Sequence, residues 1–196
     1  LARAFDLKEE SESLREAYGK HYFGQSLLLA RRLVEAQIPV IQANLRGWDT
    51  HVNGFATLKD SLLPKFDQAL STFLDDMAVR GMLEETLVVA TGEFGRKPTI
   101  TTEPGHSQPG RDHWPSVYSA IFLGGGVRVG QVIGASDRLG GEPTSDPFTP
   151  YDLGATIYEA FGIDPSSVIR DTERKRTFQL SQGKVIRPLY EDRPST

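Results

Sequence analysis

The order of apolar runs, helical stripes and loops predicts an α/β domain, with a mostly parallel sheet flanked by helices. Two observations carry that reading. Short apolar runs at Pro39–Leu45, Thr86–Thr91 and 117–123 have the length of buried strands and are separated by stretches of helical character. The first two of these runs lead straight into polar clusters, and the carboxyl ends of strands are where open α/β sheets place their chemistry. A chain of 196 residues, 38% hydrophobic and 24% charged, is long enough for one good core, so a single domain spanning 1–196 is expected.

The same composition excludes several classes. Net charge is -4 without long blocks of like charge, which leaves no electrostatic footprint for nucleic acid or an anionic membrane. No apolar run approaches the roughly 18 residues needed to span a bilayer. There is no cysteine, so disulfides, thiolate ligands and cysteine nucleophiles are ruled out, and any metal must use oxygen and imidazole. The chain opens Leu-Ala-Arg-Ala-Phe without an initiator Met or an export signal, and reads as a fragment of something longer.

Taken in order, Lys8 to about Gln37 predicts one or two helices, closed by Pro39. After the first polar cluster, Leu62, Leu63, Phe66, Ala69, Leu70, Phe73, Leu74 and Met77 recur at helical spacing. Pro64 belongs in the first turn of that helix or at a kink, and Gly81 stops it. Residues 92–114 form a long aperiodic loop, a length compact domains seldom carry without a use. Ser116–Leu123 reads as a strand ending in Gly124-Gly-Gly126, and Val127–Gly134 as a short hairpin arm. No helix follows the three glycines, so they do not read as a phosphate cradle. Thr149, Pro150 and Asp152 mark a capped helix start, with the helix running to about Phe161 and ending at Gly162. Short strands are expected at Thr177–Leu180 and Lys184–Pro188.

Three clusters carry candidate chemistry. In Gly47-Trp-Asp-Thr-His51, Asp49 and His51 are two apart, so an extended backbone points both side chains the same way, toward one ion. The alternative is a turn capped by Asp49 with His51 merely exposed. Trp48 supplies an apolar wall that makes a lone carboxylate costly. Glu93 lies in a tight Gly-Glu-Phe-Gly turn that would hold it rigidly as a metal ligand or general base; the alternative is that it pairs with Arg96 or caps a helix. In Gly110-Arg-Asp-His-Trp114, adjacent side chains diverge, so His113 is the expected ligand and Asp112 the orienting group, with Asp112 as ligand the alternative. Arg96 and Arg111 have the planar fork that binds sulfate or phosphate. His106 is expected exposed and His21 structural. Such oxygen and imidazole donors suit zinc, manganese, magnesium or calcium, and the histidines favour the transition metals.

These motifs, together with Gly124–Gly134 and Pro150–Asp164, resemble the bacterial domain of unknown function 1501 family over about residues 18–190. That family in turn looks like a branch of the alkaline phosphatase and sulfatase superfamily. The resemblance implies a one- or two-metal site on a parallel sheet. Asp49 and His51 would match an acidic-plus-histidine pair, Glu93 would replace the aspartate of an Asp-His-Gly turn, and His113 would match a late histidine ligand. Phe94 stands where that turn usually has its own histidine, which speaks against a full two-metal site. The helix at 150–162 would pack behind the site. The nucleophile and first aspartate ligand would lie in an amino-terminal half outside this chain; Thr50, between two candidate ligands, is the nearest substitute.

The expected function is thus a divalent-metal-dependent hydrolase of sulfate or phosphate esters, small or polysaccharide. The metal would be held by Asp49, His51, Glu93 and His113, and the substrate by Arg96, Arg111 and Asp112. The alternative is a degenerate member that binds an anionic ligand or a protein partner. Family resemblance makes the periplasm or cell envelope the expected compartment.

Overall fold

The structure, a computed structural model, describes residues 1–145 and 147–190. In chain order its helices and strands are α1 (Glu12–Ala17), α2 (Tyr22–Glu35), α3 (Gly54–Thr57), α4 (Leu63–Val79), β1 (Val88–Thr91), β2 (Gly95–Arg96), β3 (His113–Trp114), β4 (Ala120–Leu123), β5 (Ala135–Ser136), β6 (Pro143–Ser145), α5 (Pro150–Ala160), β7 (Val168–Asp171) and β8 (Arg176–Gln179). They fall into two compact units, Leu1–Thr86 with Arg96–Trp114, and Leu87–Gly95 with Pro115–Thr196.

The first unit is built on α2 against α4. His21 caps α2, its Nδ1 accepting from the Gly24 amide at 3.1 Å. Gly24 is required there, because a Cβ would sit 2.0 Å from the Tyr18 carbonyl oxygen. Phe23, Leu27 and Leu28 of α2 join Tyr18 and Ala69, Phe73 and Met77 of α4 in the core. The helix that carries α4 begins at Gly54 and passes through a π-helical turn at Leu58–Leu62, where the Leu63 amide donates to the Leu58 carbonyl. Pro64 has no N–H to return to residue 60, and a widened turn just before it absorbs that loss. Gly81, at φ +71°, ends the run.

Buried charge also holds this unit together. The Arg31 side chain, 1% exposed, faces Glu35 Oε2 at 2.7 Å, Glu10 Oε2 at 2.9 Å and Asp76 Oδ2 at 3.0 Å. Its Nη1 makes an aligned hydrogen bond to Glu35, whereas Nη2 and Nε meet their carboxylates as ion pairs only. The Tyr18 hydroxyl donates to Asp76 at 2.9 Å, and Arg80 links Asp76 at 2.7 Å with Glu35 at 2.6 Å. Arg32 completes the set by donating to the Ala4 and Arg3 carbonyls and pairing with Glu9 and Glu10. The first ten residues are thereby tied to α2 and α4. Burial by itself would raise the Glu10 and Asp76 carboxyls, but pairing of Glu10 with Arg31 and Arg32, and of Asp76 with Arg80 and Tyr18, holds both below their ordinary range.

The sheets correct the expected α/β class. Helix accounts for 37% of residues, and the strands form only short antiparallel two-stranded sheets, with no large parallel sheet, so the fold is not alkaline phosphatase-like. Pro39–Leu45 joins no sheet among the described residues, although Ile41, Ala43 and Leu45 alternate half-buried with exposed neighbours. β1 and β4 are real but antiparallel, pairing Val88 with Leu123 and Thr91 with Ala120. A parallel pair needs a crossover that carries the chain back to its starting end, usually a helix; the segment between these strands contains no helix.

In the second unit, Gly124, Gly125 and Gly126 all adopt positive φ and turn the chain after β4. Val127–Gly134 is irregular, and the hairpin lies later, as β5 with β6. α5 starts with the full capping box of Thr149 and Asp152. The segment 181–186 runs along α5: Ser181 donates to the Tyr151 carbonyl at 3.1 Å, and the Lys184 and Ile186 amides donate to Asp152 at 2.7 Å and Thr156 at 3.0 Å. Lys184–Pro188 is accordingly not a strand, and a 3-10 turn occupies Arg187–Leu189. β8 pairs with β7, which sequence periodicity did not reveal.

Replacing Arg31 by Met removes the shared cation from three carboxylates and is expected to cost on the order of 3–5 kcal/mol in urea unfolding of the first unit. In the native protein, Glu10 and Asp76 contribute stability that is fully present above their ordinary values of 4.5 and 3.8 and is lost as pH falls through their lowered values. In Arg31→Met the lone carboxylates are relieved by protonation, so the gap between the two proteins should narrow below about pH 4.

Candidate metal centre

All the groups that converge here belong to the first unit. After Gly47, at φ +96°, the Trp48 ring stands edge-on to Phe66 with centroids 6.1 Å apart, which anchors the segment to the helix. A tight turn follows, with the Thr50 amide donating to the Trp48 carbonyl at 2.8 Å, so Asp49 and His51 are presented from a turn and not from a strand end. Asn53, in the left-handed region at φ 55°, then starts α3.

A second loop meets this turn. Residues 101–110 are closed by a reciprocal pair of backbone bonds, Thr101 to Gly110 at 3.0 Å and Gly110 to Thr101 at 2.9 Å. Gly110 is buried against the turn: a Cβ there would lie 1.7 Å from the His51 carbonyl oxygen. Only a residue without a side chain permits that approach. Immediately afterwards β3 pairs with β2 and carries His113.

Three side-chain atoms meet at one point. His113 Nε2 is 2.7 Å from Asp49 Oδ1, His51 Nε2 is 2.9 Å from the same oxygen, and the two Nε2 atoms are 3.1 Å apart. The other face of the His51 ring is held too, with Nδ1 at 3.1 Å from Asp112 Oδ1 and 3.7 Å from Glu103 Oε1. Lys97 balances Asp112 at 2.9 Å. The Asp112 hydrogen bond raises the His51 pKa, and Lys97 followed by His51 lowers that of Asp112. Asp49 is held below the usual carboxylate range by the His113 hydrogen bond first and by Arg96 as well.

The donor set fits a small divalent ion. Asp49, His51 and His113 form one group of metal-capable atoms, and His51, Glu103 and Asp112 a second that shares the ring. Tetrahedral ligands at roughly 2.0–2.1 Å from zinc lie about 3.3–3.4 Å apart, so the triangle of 2.7, 2.9 and 3.1 Å opens by only a few tenths of an ångström to accept one. Two imidazoles and one carboxylate with a solvent-facing side match a zinc-type site that keeps a position open, and the Asp112–His51 bond is the outer support such sites use.

The sequence-predicted residues divide as follows. Asp49, His51 and His113 come together, and Asp112 lies behind His51. Arg96 donates to the Trp48 carbonyl at 2.7 Å, to Asp49 at 3.2 Å and to the Arg111 carbonyl at 3.1 Å, so it braces the turn. Arg111 donates to the Lys97 and Arg96 carbonyls. Glu93 is exposed and belongs to the other unit, outside the two groups. His106 is exposed and His21 is a helix cap. Glu103 and Lys97 stand in no donor motif, and the length of their loop was the one signal available; Gly110 opens one of the three clusters, but its close approach to the His51 backbone is a non-local contact.

Among known proteins, the family model described as a protein of unknown function (DUF1501) matches residues 1–190. No curated protein and no solved structure matches the chain.

Because the Gly110 contact sets where His51 sits, Gly110→Ala is expected to weaken zinc binding at least ~10-fold in competition with a chromophoric chelator, in the range of lost outer-shell support. Gly105→Ala, in the same loop with no atom within 4 Å of its Cβ position, should leave that affinity unchanged.

Proposed function

The chain belongs to the domain of unknown function 1501 family, and from that premise we propose a divalent-metal-dependent hydrolase of anionic esters centred on Asp49, His51 and His113. The observation that carries this reading is the convergence of one carboxylate oxygen and two imidazole nitrogens within 3.1 Å of one another at the surface. The sulfate or phosphate class of the ester comes from the motif resemblance, as does a periplasmic or cell-envelope location; neither draws on the fold.

A bound divalent ion supplies Lewis-acid polarisation of the ester oxygen and a more acidic water. The protein's own residues set the stage for that chemistry. Asp112 accepts a hydrogen bond from His51 Nδ1–H, which places the Nε2 lone pair facing Asp49 and His113. Lys97 offsets the Asp112 charge, so the carboxylate orients the ring without adding net negative charge beside an anionic substrate. Arg96 steadies Asp49 and brings a positive charge to the rim. Asp49 and His113, with side chains 73% and 45% exposed, leave the open side to substrate.

A second reading is a family member that binds an anion without turnover. It is favoured by the commitment of both Arg96 and Arg111 to backbone carbonyls, which leaves less of each fork for a transition state.

Metal analysis of the purified protein, with aryl sulfate and aryl phosphate assays, separates the two. The hydrolase reading expects one tightly held transition metal and turnover that falls at least ~10-fold in His113→Ala together with the metal content. Metal without turnover selects the second reading, and turnover untouched by His113→Ala or by chelation overturns the first.

A further inference from the structure

The β7–β8 hairpin of the second unit has a surface that neither its own unit nor the proposed hydrolysis uses. Seven of its eight strand residues are exposed, Asp171 alone being half-buried. The register places Ile169 opposite Phe178 and Asp171 opposite Arg176 on one face, with Val168, Arg170, Thr177 and Gln179 on the other. Val168, Ile169 and Phe178 are 68%, 40% and 53% exposed. Two-stranded sheets with both faces in water are marginal by themselves, and each strand leaves one row of backbone N–H and C=O groups unpaired within its sheet.

Its charge is the second observation. Arg170, Arg174, Lys175 and Arg176 stand against Asp171 and Glu173, a positive excess in a chain whose net charge is -4. Arg174 lies 4.0 Å from Asp171, while Arg170, Lys175 and Arg176 enter no ion pair among the described residues. The tip is ordered: Asp171 Oδ1 accepts from the Glu173 and Arg174 amides, each at 3.0 Å, and Lys175 takes the left-handed conformation at φ 52°. The cations are therefore displayed on a fixed turn.

We propose that this hairpin is a docking edge for an extended acidic polypeptide segment, which adds to it as a third strand. The free edge supplies main-chain pairing, and the Ile169–Phe178 face takes an apolar side chain of the incoming strand. Two positions along, on the same face, Arg176 meets an acidic side chain, since directly opposed opposite charges pair across strands. The recognised pattern is thus an apolar residue and a carboxylate separated by one residue. The positive excess selects against the same hairpin of a second copy, and a purely ionic polymer leaves the apolar face uncovered.

Fluorescence anisotropy tests this with a labelled ten-residue peptide in which threonine alternates with valine and glutamate by turns, against the same peptide with lysine for glutamate. The glutamate peptide should bind with a Kd on the order of 10–100 µM, and the lysine peptide at least ~10-fold more weakly. Arg176→Glu and Phe178→Ser should each reduce binding several-fold, while circular dichroism and zinc binding at Asp49, His51 and His113 stay unchanged. Failure to bind the glutamate peptide at millimolar concentration, or equal binding of both peptides, overturns the proposal. Heparin oligosaccharide binding that survives Phe178→Ser reassigns the surface to anionic polymers. Concentration-dependent dimerisation abolished by Phe178→Ser reassigns it to a second copy of the chain.

Discussion

Arg31 is the interaction on which the first unit depends. A guanidinium withdrawn from water is costly, and it is tolerated here because three carboxylates from three parts of the chain surround it. Glu10 brings in the amino-terminal segment, Glu35 lies at the end of α2, and Asp76 lies near the end of α4. Each of these acids is shared with a second group, Arg32 or Arg80 or Tyr18, so the network has no simple order of removal. The α2–α4 pair fixed in this way is the platform from which the Gly54 helix start, and with it the Asp49 turn, is presented.

The candidate metal site rests on a different kind of constraint, which is an absence of atoms. Asp49 and His51 come from one turn and His113 from a short strand, and the two are brought into register by the buried Gly110 lying on the His51 backbone. The ring of His51 is then fixed from both sides, by Asp112 on Nδ1 and by Asp49 and His113 on Nε2. That sandwich gives the imidazole a single useful orientation without deep burial, and the site keeps an open face.

What the sequence disclosed follows from the range of the forces involved. Helix limits were legible because caps and periodicity are local: Thr149 with Asp152, Gly81, Gly162 and the stripe from Leu62 to Met77 all act within a few residues. Strand direction was not legible, since apolar runs such as Thr86–Thr91 and 117–123 look the same in parallel and antiparallel pairs, and the connection decides. Pro39–Leu45 has the alternation of a strand but no pairing neighbour among the described residues, a non-local fact. At the site, Asp49, His51, Asp112 and His113 stood out as motif residues, whereas Glu103 and Lys97 matter through position alone and carry no pattern. Arg96 and Arg111 were noticed for their forks, which the fold directs at carbonyl groups.

The widened turn at Leu58–Leu62 has a consequence for how this chain tolerates length change. An ordinary helix advances 100° per residue, so losing one amino acid from that stretch would rewind it into regular α geometry. The segment between α2 and that turn would then swing by about that angle relative to α4, carrying Trp48 off Phe66 and the Asp49–His51 turn away from β3. A lost residue here is thus felt as rotation of a remote surface more than as damage to the helix itself.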